Sequence, residues 1–207
     1  MTTFPRSWHR ETAIETMGTI SSFGRRTSYI SIGTHSGTHI DAPSHFIAEG
    51  ISVDKIDLSR FFGSAQVFDL TNVPTSWEIS RDELKTLLKG YMPGNSIILN
   101  FGWGSNFNNP KKYYDNQPWI AESAAEYLVT LSPPVLAYDL AMLDNPLNGY
   151  GCTLDSPIHK ILLGNGIPLI ENSVFPQRLP QHLYYSVFPL RLEGLDGSPV
   201  RFIGWGK

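Results

Sequence analysis

The sequence predicts an α/β fold: a single domain over residues 1–207, built on a mixed β-sheet flanked by helices. Three observations carry this. Short apolar, β-branched runs interleave with segments of helical spacing, the pattern of strands and helices layered in one sheet. Turn signals such as Pro93-Gly94 and Gly164 punctuate the boundaries. No internal repeat, low-complexity tract or linker divides the 207 residues, a length that suits one sizeable core.

Residues 1–26 are mixed and carry no clear periodicity. Thr27-Ser-Tyr-Ile-Ser-Ile-Gly33 alternates polar and apolar, as a strand does. Asp54 and Asp57 have the setting of turn and helix-cap residues. Ser64–Leu70 is a second strand. Ser80-Arg-Asp-Glu83 is a capping box, with Leu84, Leu87 and Leu88 following at helical spacing until Gly90 and Pro93-Gly94 end the helix. Asn95–Phe101 is a short strand, apolar on both faces. Residues 102–118, rich in Gly, Asn, Pro and aromatics, read as a long loop. Ile120–Leu128 is helical, with Ala124, Ala125 and Leu128 on its apolar side. Pro134–Asp139 is a strand, 140–154 a loop, Pro157–Leu163 a helix ended by Gly164, and Ile167–Glu171 a strand. Tyr184–Leu192 and Val200–Trp205 flank Gly194-Leu-Asp-Gly197 and read as a terminal hairpin.

Composition narrows the function. Hydrophobic residues make up 41%, enough for a folded core, and only 17% are charged, with a net charge of -3. That balance argues against nucleic acid and anionic membrane partners. No run approaches the roughly 18 apolar residues of a membrane span, and the first residues lack the apolar stretch of a signal peptide. A soluble, cytoplasmic protein is expected. The single cysteine, Cys152, excludes an intrachain disulfide and a cysteine-based zinc cluster. It reads as a small buried hydrophobe in preference to a thiol ligand.

The chemistry concentrates between positions 35 and 45, in His35-Ser-Gly-Thr-His39-Ile-Asp41-Ala-Pro-Ser-His45. Imidazole and carboxylate are both ligands of divalent metals. His35 and His39 have the spacing of a helical pair, but Gly33, Gly37, Pro43 and the β-branched Thr34, Thr38 and Ile40 oppose a helix. In extended chain His39 and Asp41 share one face, and a turn at Gly37 returns His35 to them. His45, beyond Pro43, can reach the same cavity without being a tight ligand. His159 and Glu171 form a second cluster across a helix, a glycine turn and a strand. A histidine alone is more often a structural residue, and His9 and His182 stay so. Asp139 ends a buried strand, where either an active-site carboxylate or a cap fits. Trp103, Phe107, Tyr113, Tyr114 and Trp119 pack or line an aryl pocket; Trp103 and Trp119 are the candidate substrate-binding residues.

The first cluster resembles the His-x-Gly-Thr-His-x-Asp-x-Pro-x-His signature of the cyclase-like metal-dependent hydrolases, which include kynurenine formamidases and isatin hydrolases. Asp54–Leu58, Phe62–Leu70, Asp155–His159, Leu163, Ile170-Glu171-Asn172, Phe188-Pro-Leu190 and Leu195–Arg201 are similar to that family in the same order. The resemblance implies a site of one or two zinc ions, or manganese, held by His35, His39, Asp41, His159 and Glu171, with Asp41 bridging and His45 as acid/base. It implies hydrolysis of a small aryl amide, N-formyl-kynurenine first, and so a place in tryptophan catabolism. Other activities open at such a site are a lactam or lactone hydrolase, a cyclase or dehydratase, or a non-catalytic metal-binding pathway protein. A homodimer or homotetramer is implied as well. Family members usually begin with an Asp-Leu-Ser/Thr strand ahead of a Gly-Met-Pro segment; Met1-Thr-Thr-Phe-Pro5 resembles that segment without the strand.

Overall fold

The computed structural model describes residues 11–148, 155–176 and 178–206. In chain order the elements are β1 (Ala13–Gly18), α1 (Ile20–Phe23), β2 (Thr27–Ser31), β3 (His39–Asp41), β4 (Phe62–Asp69), β5 (Glu78–Ile79), α2 (Arg81–Leu87), β6 (Ser96–Asn100), α3 (Pro110–Asp115), β7 (Trp119–Ile120), α4 (Glu122–Leu131), β8 (Leu136–Tyr138), α5 (Pro157–Gly164), β9 (Leu169–Glu171), β10 (His182–Ser186), β11 (Gly197–Pro199) and β12 (Ile203–Gly206). Eight strands form one sheet in the order β11-β3-β9-β8-β6-β4-β10-β12. The central four are parallel. Antiparallel pairs extend both sides: β3 and β11 at one, β10 and β12 at the other. A bridge between Pro189 and Val200 joins the chain beyond β10 to the chain beyond β11, so the sheet curls. The fold is the mixed α/β class that the sequence predicts.

Alternation along each strand splits the core in two. Ile97 and Leu99 of β6, Leu136 and Tyr138 of β8 and Leu169 of β9 meet the buried side of α2, α4 and α5. Ile98, Ala137 and Ile170, from the same strands, face the opposite way with Ile40, Phe61, Leu183 and Tyr185. The expected capping box forms: the Ser80 amide donates to Glu83 Oε2 and the Glu83 amide to Ser80 Oγ. Ala124, Ala125 and Leu128 are the buried residues of α4, as their spacing predicts. Asp57 caps a short 3₁₀ turn, and Asp54 accepts from the Ser52 hydroxyl and the Gly194 amide.

Three expectations need correction. Residues 102–118 are not continuous loop. A 3₁₀ turn spans Trp103–Asn106, and α3 starts from Asn109, whose side chain accepts from the Lys112 amide, with Pro110 in its first turn. Asn-Pro before Lys-Lys-Tyr-Tyr is a helix start that the glycines and aromatics nearby obscure. The second helix of that region begins at Glu122, because Trp119 and Ile120 pair with Glu78 and Ile79 as β7 and β5. The terminal hairpin is only half right. β10 and β12 do pair antiparallel, but Gly197–Pro199 leaves them to lie beside β3 as β11. A short turn between two strands and a detour through a third strand look alike in sequence.

Met1–Pro5, His9 and Cys152 lie outside the described residues. Among the described residues no helix is long and apolar enough to cross a membrane.

Candidate active site

Strand alternation builds the first part of the site. On β3, Ile40 enters the apolar core, while His39 and Asp41 point to the other face and are buried there. β3 pairs with β9 so that His39 lies opposite Glu171. Glu171 shares the helix-covered side of the sheet with Tyr138, whose hydroxyl donates to Glu171 Oε1 at 2.6 Å. Helix α5 delivers His159 in its first turn. The cap of that helix is supplied from a distance. Ile158 donates to Asp144 Oδ1 at 2.7 Å, and both the amide and the Nδ1 of His159 meet Asp144 Oδ2. His35 follows the strand β2 and returns through Gly37, which takes a φ of 64°. His45 ends a 3₁₀ turn opened by Pro43.

The three histidines His35, His39 and His159 are oriented by one rule. Each presents one ring nitrogen to an acceptor outside the cluster and the other to a carboxylate inside it. His39 Nδ1 donates to the Gly37 carbonyl at 2.8 Å, and its Nε2 lies 3.2 Å from Asp41 Oδ1 and 3.4 Å from Glu171 Oε2. His159 Nδ1 donates to Asp144, and its Nε2 lies 3.0 Å from Glu171 Oε1 and 3.5 Å from Asp41 Oδ2. His35 Nε2 donates to Asp196 Oδ2 at 2.7 Å, and its Nδ1 lies 2.7 Å from Asp41 Oδ1. A carboxylate only accepts, so an inward nitrogen facing it needs either a proton or a cation between them.

The electrostatics agree. Burial alone would lower each histidine, but the carboxylates outweigh it. Asp41 and Asp196 lift His35 to about 9, and Asp41 and Glu171 lift His39 to about 10. Asp144 and Glu171 push His159 well above its ordinary value. Burial would raise Asp41, yet His35 and His159 hold it well below the usual carboxylate range. Burial and Asp41 would raise Glu171, but His159 and His39 keep it low. A pocket this short of positive charge, lined by inward-facing nitrogen and oxygen atoms, fits a divalent cation. Atoms able to ligate form three overlapping sets among the described residues: His35–His39–Asp41 and Asp41–His159–Glu171, which share Asp41 and are the more buried, and His35–His45–Asp196 at the more exposed end. Outer hydrogen bonds to Gly37, Asp144 and Asp196 are the kind that fix ligand histidines in place.

The site has a closed and an open end. His159 and Glu171 side chains are 7% and 6% exposed, whereas His45 and Asp196 are 27% and 39% exposed, so the latter pair is the one that solvent reaches. The His45 ring stacks on His35 with centroids 3.9 Å apart, and its Nδ1 lies 3.2 Å from Asp196 Oδ2.

The structure brings all six of His35, His39, Asp41, His45, His159 and Glu171 together. The two tryptophans do not join them. Trp103 lies in the core and donates to the Tyr113 carbonyl; Trp119 donates to Glu78 from β7. The aromatic ring against the histidines is Phe46, 4.5 Å from His45 and 5.0 Å from His159 between centroids. Asp139 is a cap, accepting from the Phe101 and Gly104 amides. Sequence reasoning missed Asp144, Asp196 and Tyr138. Asp144 sits in the loop before α5 and carries no spacing signal. Asp196 lies in the segment similar to the family, which was a usable signal.

Residues 2–145 match the Cyclase family model. A kynurenine formamidase of Geobacillus thermodenitrificans is 34% identical over 173 residues, covering 83% of this chain and 76% of that protein. The chain belongs to the Cyclase family. A kynurenine formamidase of Delftia acidovorans is 26% identical over 178 residues, 85% of this chain and 78% of that one. Among solved structures, an isatin hydrolase bound to the product analogue thioisatinate has a TM-score of 0.85 at 19% identity, covering 96% of this chain and 83% of its own. Isatin hydrolase A from Ralstonia solanacearum has a TM-score of 0.83 at 23% identity, covering 100% and 87%. At those identities the structures establish the shared fold. With the sequence relatives, the chain is an arylformamidase-like hydrolase of carbon–nitrogen bonds other than peptide bonds.

Proposed function

We propose that this chain hydrolyses N-formyl-kynurenine or a close aryl formamide, using a site for one or two zinc ions, or manganese, at His35, His39, Asp41, His159 and Glu171. The observation that carries this reading is the inward turn of one nitrogen from each of His35, His39 and His159 onto Asp41 and Glu171. A divalent cation bound there would lower the pKa of water from 15.7 towards about 7 and polarise a carbonyl oxygen.

The chain's own residues supply the rest. Asp144 and the Gly37 carbonyl hold the ligand rings, so little reorganisation is needed at the moment of reaction. Tyr138 fixes the Glu171 carboxylate. His45, at the open end, takes a proton from water as oxygen adds to the formyl carbon. It returns that proton to the aryl nitrogen as the C–N bond breaks, releasing amine and formate. Such a group contributes about 10²–10⁴-fold. Phe46 gives the same end an apolar wall.

The isatin hydrolase fold supports a second substrate class, a cyclic aryl lactam opened at the same kind of bond. Purified protein loaded with zinc or manganese is assayed against N-formyl-kynurenine, isatin and simple aryl formamides. The reading expects metal-dependent release of formate; turnover of isatin alone transfers the assignment to the lactam, and turnover of none ends both.

A homodimer or homotetramer belongs to the same reading. The β1–β2 hairpin exposes Ile14, Met17, Tyr29 and Ile30, an apolar surface that a second copy would cover. Light scattering on purified protein tests it, and a monomer at micromolar concentration contradicts it.

A further inference from the structure

We infer that Asp196 is a positioning residue that fixes the tautomer and orientation of His45 and ties it to His35. This rests on the reading of His45 as acid/base. Asp196 Oδ2 lies 2.7 Å from His35 Nε2 and 3.2 Å from His45 Nδ1, so one carboxylate oxygen serves two stacked rings. Both facing nitrogens must carry protons, because the carboxylate only accepts. His45 is thereby held with its proton on Nδ1, leaving Nε2 as the lone-pair nitrogen that a general base requires. A His45 free to take the other tautomer would spend part of its time unable to accept a proton there.

The fold reserves the place for this carboxylate. β11 docks in antiparallel register on β3 with Gly197 opposite Asp41, which sets Asp196 just before the strand at the rim of the site. The Asp196 carbonyl also accepts from the Ala42 amide, pinning its backbone between the two halves of the histidine motif. A Cβ on Gly197 would lie 2.9 Å from His35 Cε1, so glycine at that position lets the His35 ring sit against β11.

The test uses zinc-loaded full chain with zinc held saturating. Long-range proton–nitrogen NMR of histidine-labelled protein should show His45 protonated at Nδ1 in the native chain and redistributed towards Nε2 in Asp196→Ala. With N-formyl-kynurenine, Asp196→Ala should lower kcat about 10- to 100-fold, part of what a general base contributes, while KM moves less than about threefold. Asp196→Asn, which keeps an acceptor oxygen, should recover part of that loss. In a His45→Asn background, Asp196→Ala should cost nothing further. Full additivity of the two substitutions, unchanged kcat in Asp196→Ala, or lost zinc at saturation would each overturn the inference. If the native chain turns over no formamide, the functional reading fails, and the NMR tautomer still decides whether Asp196 holds His45.

Discussion

His39 and Glu171 sit directly opposite one another on β3 and β9, with His39 Nε2 3.4 Å from Glu171 Oε2. Backbone pairing thus sets a nitrogen and a carboxylate oxygen facing each other in a buried place. The other His39 nitrogen is already committed to the Gly37 carbonyl. Positive charge must enter between them, as a proton or as a metal.

That need predicts the pH behaviour of metal-free protein. His35 and His39 rise to about 9 and about 10 in the fold, above the roughly 6.5 of an unfolded chain. Groups raised in this way stabilise the fold fully below about pH 6.5, and that stability is lost as pH climbs through their folded values. In chelator, melting temperature should fall between pH 7 and 10 by roughly 4–8 °C, equivalent to about 2 kcal/mol in a chain of this length. Saturating zinc should flatten the slope. A chelated protein whose melting point rises over that range contradicts the assignment.

Asp144 couples helix formation to the site, because one carboxylate caps α5 and grips His159. Asp144→Ala should cost about 1 kcal/mol through the lost cap. It should also weaken metal affinity about 10- to 100-fold through the freed ring. Denaturant melts and calorimetric metal titration measure the two separately. A change in stability with no change in affinity would confine Asp144 to capping.

Gly197 tests the packing of β11 on the site. An added Cβ would meet the Ile40 carbonyl at 2.6 Å and His35 Cε1 at 2.9 Å, so Gly197→Ala must displace backbone or ring. The expected cost is about 1–3 kcal/mol, with lower turnover per folded molecule. Gly206→Ala, where nothing lies within 4 Å of the added atom, should stay within about 0.5 kcal/mol. Equal effects from the two would mean that β11 is looser than its hydrogen bonds indicate.

These residues show what was legible in the sequence. His39 and Asp41 could be placed together because strand alternation is local, and the capping box at Ser80–Glu83 is local too. Their convergence with His159 and Glu171 needs β3 beside β9; the family resemblance implies the set of residues, while the strand order is visible only in the structure. Asp144 and Asp196 escaped because their roles depend on where a loop and an edge strand finally lie. The start of β11 looks like part of a turn in sequence, since nothing near Gly197 records its partner 156 positions earlier, Asp41. Trp103 drew attention as an aromatic in a glycine-rich stretch, but its indole satisfies the Tyr113 carbonyl inside the core.

The most direct test of the central claim is metal content by mass spectrometry in native chain and His39→Ala, each dialysed from zinc or manganese, with formamide hydrolysis measured on the same samples. About one or two ions per native chain are expected, with at least one lost in His39→Ala and hydrolysis falling with it. A native chain that retains no ion, or a folded His39→Ala chain with unchanged metal and unchanged rate, would contradict it.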